Sequence, residues 1–241
     1  MTTPSLPRAG QPVDFDTVAG VYDSVFAAHI AEHYLRRRSR YIVGLASGGA
    51  AGATALDVGA GTGVLAERLA GLGLEVVALD PFPGMLDQLR RRRPDLRAVQ
   101  ADGDAIPFPD DTFDLTYCVA VMHHIADPDR VRATIAEMVR VTRPGGKILV
   151  WDHNPLNPYW PLLMRRVPQD NGTERLIPLV EIVAGMRGGG AEIVRAERLG
   201  LIPEFVPGRL LRAAAAVERA VEATPGLRRF CAHNVVVAGK P

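Results

Sequence analysis

Leu56-Asp57-Val58-Gly59-Ala60-Gly61-Thr62-Gly63, followed at once by Val64, is the stretch on which the fold turns. Leu56-Asp57-Val58 reads as the end of a buried strand, and the glycines carry the chain straight into a helix. Glycine accepts positive φ and lets a ligand approach the backbone closely. A helix N-terminus offers free N–H groups to a carboxylate or phosphate. Alone, the motif specifies a nucleotide-like or amino-acid-like ligand at a strand end. A dinucleotide fingerprint needs a third glycine three residues after the second. That position is Val64, which removes the nicotinamide-dependent oxidoreductases, and no Gly-Lys-Ser/Thr phosphate loop is present.

Outward from this loop, strands and helices alternate, the pattern of a parallel sheet covered on both faces. Strands are predicted over 55–58, 75–79, 96–100, 113–119 and 147–151, with helices over 63–72, 83–92 and 128–141. Arg143-Pro144-Gly145-Gly146 reads as the turn before the fifth strand. Beyond it, 153–161 reads as a loop, 178–187 as a helix ended by Gly188-Gly189-Gly190, and 192–199 as a strand. An Ala- and Arg-rich helix over 208–223 precedes a last strand over 231–238.

Upstream, 1–12 is Pro- and Gly-rich and reads as a loose arm. Val18, Val21, Tyr22, Val25 and Phe26 recur at helical spacing within a helical stretch over 14–45, and 47–52 is a flexible break. The expected organisation is an arm and helical cap over 1–46. A core follows over 47–241, with a substrate-side insert at about 153–178 and 203–229.

Two acidic residues sharpen the loop. Asp80 ends the second strand, where a carboxylate can accept both ribose hydroxyls of a nucleoside. Asp102, in Gln100-Ala101-Asp102-Gly103-Asp104, follows the third strand and can accept from an adenine amino group. Each alone reads as a cap or turn residue. Three elements at consecutive strand ends read as an adenosyl site.

These residues resemble the class I S-adenosylmethionine-dependent methyltransferases, in particular the branch of the ubiquinone/menaquinone C-methyltransferases. The resemblance is carried by 56–63, Leu79-Asp80, 101–114, Met122-His123-His124-Ile125 and Arg143-Pro144-Gly145-Gly146, with Phe15-Asp16, Ala19 and Tyr22-Asp23 matching the branch's cap. It implies a Rossmann-like seven-stranded sheet whose last strand runs antiparallel. It implies S-adenosyl-L-methionine as cofactor and S-adenosyl-L-homocysteine as product. Gly59, Ala60 and Gly61 would line the methionine moiety, and Asp57 would hold the loop or reach the amino group through water. Asp80 would bind the ribose, Asp102 and Gly103 the adenine, and Val119 the amino-acid part through its backbone. Tyr22, closing over the cofactor, Gly63 and Pro81 complete the candidate cofactor residues.

Methyl transfer displaces a good neutral thioether, so alignment and exclusion of water do most of the work. A base is needed only if the acceptor is protonated when it attacks. The candidates are His153, which opens the loop after the fifth strand, and His124 after the fourth. His29 and His33 stand at metal-like i, i+4 spacing, but no third ligand accompanies them, so cap packing is expected and no metal. The arginine runs 36–38 and 90–93 read as solvated faces, the second also suiting a helix C-terminus.

Composition fits an ordinary soluble domain, with 47% hydrophobic and 23% charged residues and a net charge of +1. That balance gives no electrostatic case for nucleic acid or an anionic membrane as the main partner. No apolar run is long enough to span a bilayer and the N-terminus lacks a secretory signal, so a cytoplasmic monomer or homodimer is expected. Cys118 and Cys231 sit in apolar strands and read as buried thiols. The fourth strand is followed by Ala120-Val121-Met122-His123, not the Asn/Asp-Pro-Pro-aromatic run of DNA amino-methyltransferases. The expected activity is transfer of a methyl group to an oxygen or carbon of a small quinone, polyketide or other natural-product acceptor. The alternative is a chain that keeps the cofactor site but catalyses a non-methylating cyclisation or rearrangement.

Overall fold

The computed structural model describes residues 13–25, 27–46, 49, 51–125, 127–164 and 173–241. The predicted arm over 1–12 lies outside the described residues. So do Phe26, parts of the predicted break over 47–52, and 165–172 of the predicted insert.

Seven strands form one sheet: β1 Thr54–Val58, β2 Glu75–Asp80, β3 Arg97–Gln100, β4 Phe113–Val119, β5 Thr142–His153, β6 Glu192–Leu199 and β7 His233–Gly239, in the order β3-β2-β1-β4-β5-β7-β6. β7 runs antiparallel to both neighbours and the other pairings are parallel. The strand order reverses between β1 and β4, and that switch point opens a crevice at the C-terminal strand ends.

Helices cover both faces, so the central strands are apolar on both sides rather than alternating. On one face Val150 and Val236 pack with α6 (Pro128–Val141) and α8 (Leu179–Gly188) through Ile135, Met138, Ile182 and Met186. On the other, Leu149 and Trp151 pack with α3 (Val64–Ala70) and α2 (Ala28–Val43) through Ala66, Leu69 and Ile42. Cys118 and Cys231 are free and buried.

Local chemistry set several boundaries where the sequence placed them. α6 starts at Pro128 because the Asp127 carboxylate accepts from Asp129 N at 2.8 Å and proline suits the first helical position. α4 (Pro83–Arg92) and β6 also keep their predicted ends. β5 does not. Pairing begins at Thr142, opposite Phe113, so the predicted turn over 143–146 is an irregularity inside a longer strand. Gly145 has φ +80° there, and its N–H donates to Lys240 O at 2.8 Å.

The cap is broken rather than continuous. α1 (Phe15–Val18) is capped by Asp14, a single 3-10 turn spans Tyr22–Ser24, and α2 follows. Asp16 accepts from Gly84 N at 2.6 Å, and Val13, Val18 and Ala19 pack on Met85, which pins α1 to α4. α5 (Met122–Ile125) and α7 (Trp160–Leu163) are single turns after β4 and β5. The predicted helix over 208–223 divides into a 3-10 turn at Gly208–Leu210 and α9 (Leu211–Ala223), and α10 (Pro225–Arg228) follows.

α9 is tied to α2 by a buried ion cluster. Glu218, 1% exposed, accepts from His33 at 3.0 Å, from Leu201 N at 2.8 Å and from Arg37. His29 Nε2 lies 2.7 Å from Val206 O, so both cap histidines serve packing. Among the described residues no helix is long and apolar enough to cross a membrane.

Candidate functional site

The glycine loop is held by β2. Gly59 N and Ala60 N both donate to Leu79 O, at 2.8 and 2.9 Å. Gly59 has φ +75°, and a Cβ on it would stand 2.4 Å from Val121 Cγ2, so only glycine fits. Asp80 accepts from Gly61 N at 2.8 Å and Phe82 N at 2.9 Å. Burial nevertheless pushes its carboxyl up to about 6. Asp57, in register with Tyr117, is 2% exposed, and burial pushes it up to about 8. Asp57 Oδ2 and the Tyr117 hydroxyl are both buried at the foot of the loop, where the two side chains interact with each other and with no third partner among the described residues.

The loop forms one end of a cavity of about 610 Å³. Trp160, Leu163, Ile202 and Phe230 also line it. Of the residues predicted from sequence, Tyr22, Asp57, Gly59, Ala60, Gly61, Val119, His124 and His153 line this cavity. Gly63 stands behind the loop, where a Cβ would meet Leu89 Cδ1 at 2.5 Å. Asp80 and Pro81 lie off the cavity wall, on the side where Phe15 packs against Phe82, Tyr22 and His124 at 5.2, 6.2 and 4.9 Å between ring centroids. Asp102 turns to Arg130 at 3.0 Å, and Gly103 packs on Thr134, so these two are also off the wall.

Neither arginine run is simply a solvated face, as the sequence reading had it. Arg37 is paired with Glu218 and with Glu222, the latter at 2.8 Å. Arg38 lines the cavity, makes no ion pair among the described residues, and has Nε buried without a partner. Burial pulls its pKa down. A helical signal for it existed: Ile30, Ala31, Tyr34, Leu35 and Arg38 form one stripe of α2, and all five line the cavity. In the second run, Arg92 pairs with Asp23 at 2.7 Å and donates to Thr62 O, while Thr62 Oγ1 donates to Asp23 at 2.6 Å. That triangle ties the turn carrying Tyr22 to the glycine loop.

A histidine cluster sits at the ends of β4 and β5. Asp152, fully buried, accepts from Val121 N at 3.0 Å and Met122 N at 2.7 Å through one oxygen. Through the other it meets His123 Nδ1 at 2.8 Å and His153 N at 2.6 Å. Burial opposes its charge, but the neighbouring imidazoles hold the carboxyl well below the usual range. His153 Nδ1 is 3.5 Å from Asp152 Oδ1, and its ring centroid lies 3.7 Å from that of Trp160, the planes tilted by 57°. Burial pulls His153 down to about 4 and His124 well below its ordinary value, so both are neutral at pH 7. His123, Asp152 and His153 present ligand atoms within 4.8 Å of one another. Both Asp152 oxygens are already committed to backbone N–H groups, so the cluster reads as a hydrogen-bonded network. Ala120, with φ +58°, makes the tight exit from β4 into α5 beside it.

The far chamber was not legible in the sequence. Tyr159 OH donates to Glu204, whose Oε2 is buried without a partner, and Trp160 Nε1 donates to Ala232 O at 2.5 Å. His233 closes the wall beside Trp160 and His153, at 5.6 Å from each ring.

Residues 56–150 match the methyltransferase domain family. A demethylmenaquinone methyltransferase of Renibacterium salmoninarum is 39% identical over 64% of this chain and 65% of that protein. The chain spans 61–65% of the length of the first curated relatives it matches. Among solved structures, an S-adenosylmethionine-dependent methyltransferase from Archaeoglobus fulgidus superposes with TM-score 0.65 at 17% identity, covering 92% of this chain and 99% of that one. The cyclase SpnF does so with TM-score 0.65 at 20% identity, covering 94% of each. These two likenesses bear on the fold.

Proposed function

We propose that this protein, whose residues 56–150 match the methyltransferase domain family, is a class I S-adenosylmethionine-dependent methyltransferase that transfers a methyl group to an oxygen or carbon of a small, largely apolar acceptor of the quinone or polyketide type. The observation that carries this is the continuity of the cavity, which joins the glycine loop to an aromatic chamber within one volume of small-molecule size. The donor set suits the cofactor. Asp57 would ionise against an ammonium group, Arg38, without an ion pair among the described residues, would offer a guanidinium to a carboxylate, and Asp80 would offer a carboxylate to ribose hydroxyls. Asp102 and Gly103 would take the adenine. When bound, the cofactor supplies an electrophilic methyl on a sulfonium.

The chain's own part is alignment, dryness and one proton. Trp160, Leu163 and Ile202 exclude water from the chamber. His153, neutral at pH 7, is placed to accept the acceptor's proton; the Asp152 carboxylate, 3.5 Å from its Nδ1, partly offsets the burial that disfavours the imidazolium. His124 is the second candidate, but it lies against Phe15 and pairs with no carboxylate among the described residues.

Calorimetry with S-adenosylhomocysteine tests the cofactor reading, with micromolar binding expected; absence of binding overturns it. Labelled methyl transfer to a panel of hydroquinones and phenols tests the reaction. Binding without transfer to any of them favours the non-methylating alternative.

A further inference from the structure

Residues of the loops after β5 and β6 and Phe230, just past α10, line the cavity, and Phe230, 40% exposed, brings it to the surface at a mouth on this side. Asn157 Nδ2 donates to Phe230 O at 2.7 Å, and the Tyr159 and Phe205 rings meet at 5.9 Å, so these loops converge at one rim. The rim is apolar on its outer side. Leu156, Leu162, Phe205, Leu227 and Phe230 are all exposed, Phe205 at 68%. Phe230 also lines the cavity, so the exposed patch is continuous with its interior.

Charge on this segment is sorted by direction. Between 201 and 230 the acidic residues are Glu204, Glu218 and Glu222, and each is turned inward, to Tyr159, to His33 with Arg37, and to Arg37 with Gly200 N. The basic residues are Arg209, Arg212, Arg219, Arg228 and Arg229, all exposed and without an ion pair among the described residues. Arg228 and Arg229 stand between Leu227 and Phe230, and Arg229 lies over the Phe230 ring at 4.6 Å. The outward charge is therefore wholly positive, although the chain as a whole carries only +1. Apolar side chains interleaved with unpaired arginines match a lipid surface with anionic headgroups, where arginines meet phosphates and the aromatics enter the acyl boundary. An exposed collar of this kind costs solubility unless something covers it.

We infer that this collar docks the protein on an anionic lipid bilayer, with the cavity mouth facing the membrane so that an apolar acceptor enters without crossing water. The docking stands on the surface alone; acceptor delivery rests on the proposed methyl transfer.

The test is co-sedimentation of the full chain with vesicles of phosphatidylcholine alone or with about one third phosphatidylglycerol. Binding to the anionic vesicles is expected, lost in high salt. Arg228→Ala with Arg229→Ala should lower the partition about thirtyfold, at roughly fivefold per arginine near the surface. Phe205→Ser with Phe230→Ser should lower it comparably, whereas Val194→Ser, an exposed apolar site on β6, should leave it unchanged. All of these side chains are exposed, and matched thermal unfolding checks that each variant folds. No binding to anionic vesicles, equal binding to neutral ones, or unchanged binding by the collar variants overturns the inference. So does light scattering that shows a dimer dispersed by Phe205→Ser with Phe230→Ser, which would make the collar a self-association face. Normal S-adenosylhomocysteine binding by the same preparation separates failure of docking from failure of the methyltransferase reading.

Discussion

Replacing Asp80 with Asn keeps the shape of the side chain and removes its charge. Asp80 is 5% exposed and titrates at about 6 instead of its ordinary 3.8. The folded protein thus holds this proton more tightly than the unfolded chain, so the group's contribution is most favourable below the unfolded pKa and is lost as pH rises through the folded one. About two pK units at 1.36 kcal/mol each give a cost of about 3 kcal/mol above roughly pH 6. Asn avoids that cost, but its single oxygen cannot serve both Gly61 N and Phe82 N, and one lost hydrogen bond costs about 1–1.5 kcal/mol. At pH 7.5 the variant should therefore be more stable than the wild type by about 1–2 kcal/mol, and at pH 4 slightly less stable. Urea denaturation at both pH values measures the difference. The same variant should bind S-adenosylhomocysteine at least tenfold more weakly, because charge-assisted bonds to two hydroxyls are lost. A variant destabilised by more than about 2 kcal/mol at pH 7.5 refutes the burial argument. One that binds the nucleoside like the wild type refutes the assignment of Asp80 to ribose.

Three further variants probe separate parts of the site. Gly59→Ala combines a positive φ with a Cβ pressed on Val121, and should cost about 2–4 kcal/mol in thermal unfolding; a neutral result means that the loop relaxes freely. Arg38→Met should weaken S-adenosylhomocysteine about tenfold or more yet leave methylthioadenosine, which has no carboxylate, unaffected. Equal loss for both ligands makes Arg38 a packing residue. His153→Gln should lower kcat on hydroxyl acceptors by about 10²–10⁴ without changing S-adenosylhomocysteine affinity, and an unchanged kcat removes His153 as the base.

How much of this was legible can be judged element by element. α4, α6 and β6 fall on their predicted residues because their ends are marked by local chemistry such as Pro128 behind its Asp127 cap. The start of β5 was misplaced because Pro144 and Gly145 carry turn chemistry, whereas pairing with β4 and β7 draws them into the strand. The cap resolves into α1, a single turn and α2 because α1 is held by α4 through Asp16, a contact no helical period encodes.

The site divides in the same way. The glycine loop, Asp57 and Asp80 were readable because close backbone approach and strand-end carboxylates are demands made within a few residues of sequence. Arg38, Trp160, Glu204 and the Asp152 network were not, since each draws its meaning from partners on other elements. The charge balance shows this most plainly. Composition alone reported +1 and no membrane preference. Folding turned Glu218 and Glu222 inward onto α2 and left five arginines outside, because direction is a property of packing and not of order along the chain. The sequence by itself determined the sheet and the glycine loop that β2 and Asp80 hold. The tertiary structure decided the aromatic chamber, the half-buried Arg38 and the polarity of the surface around Phe230.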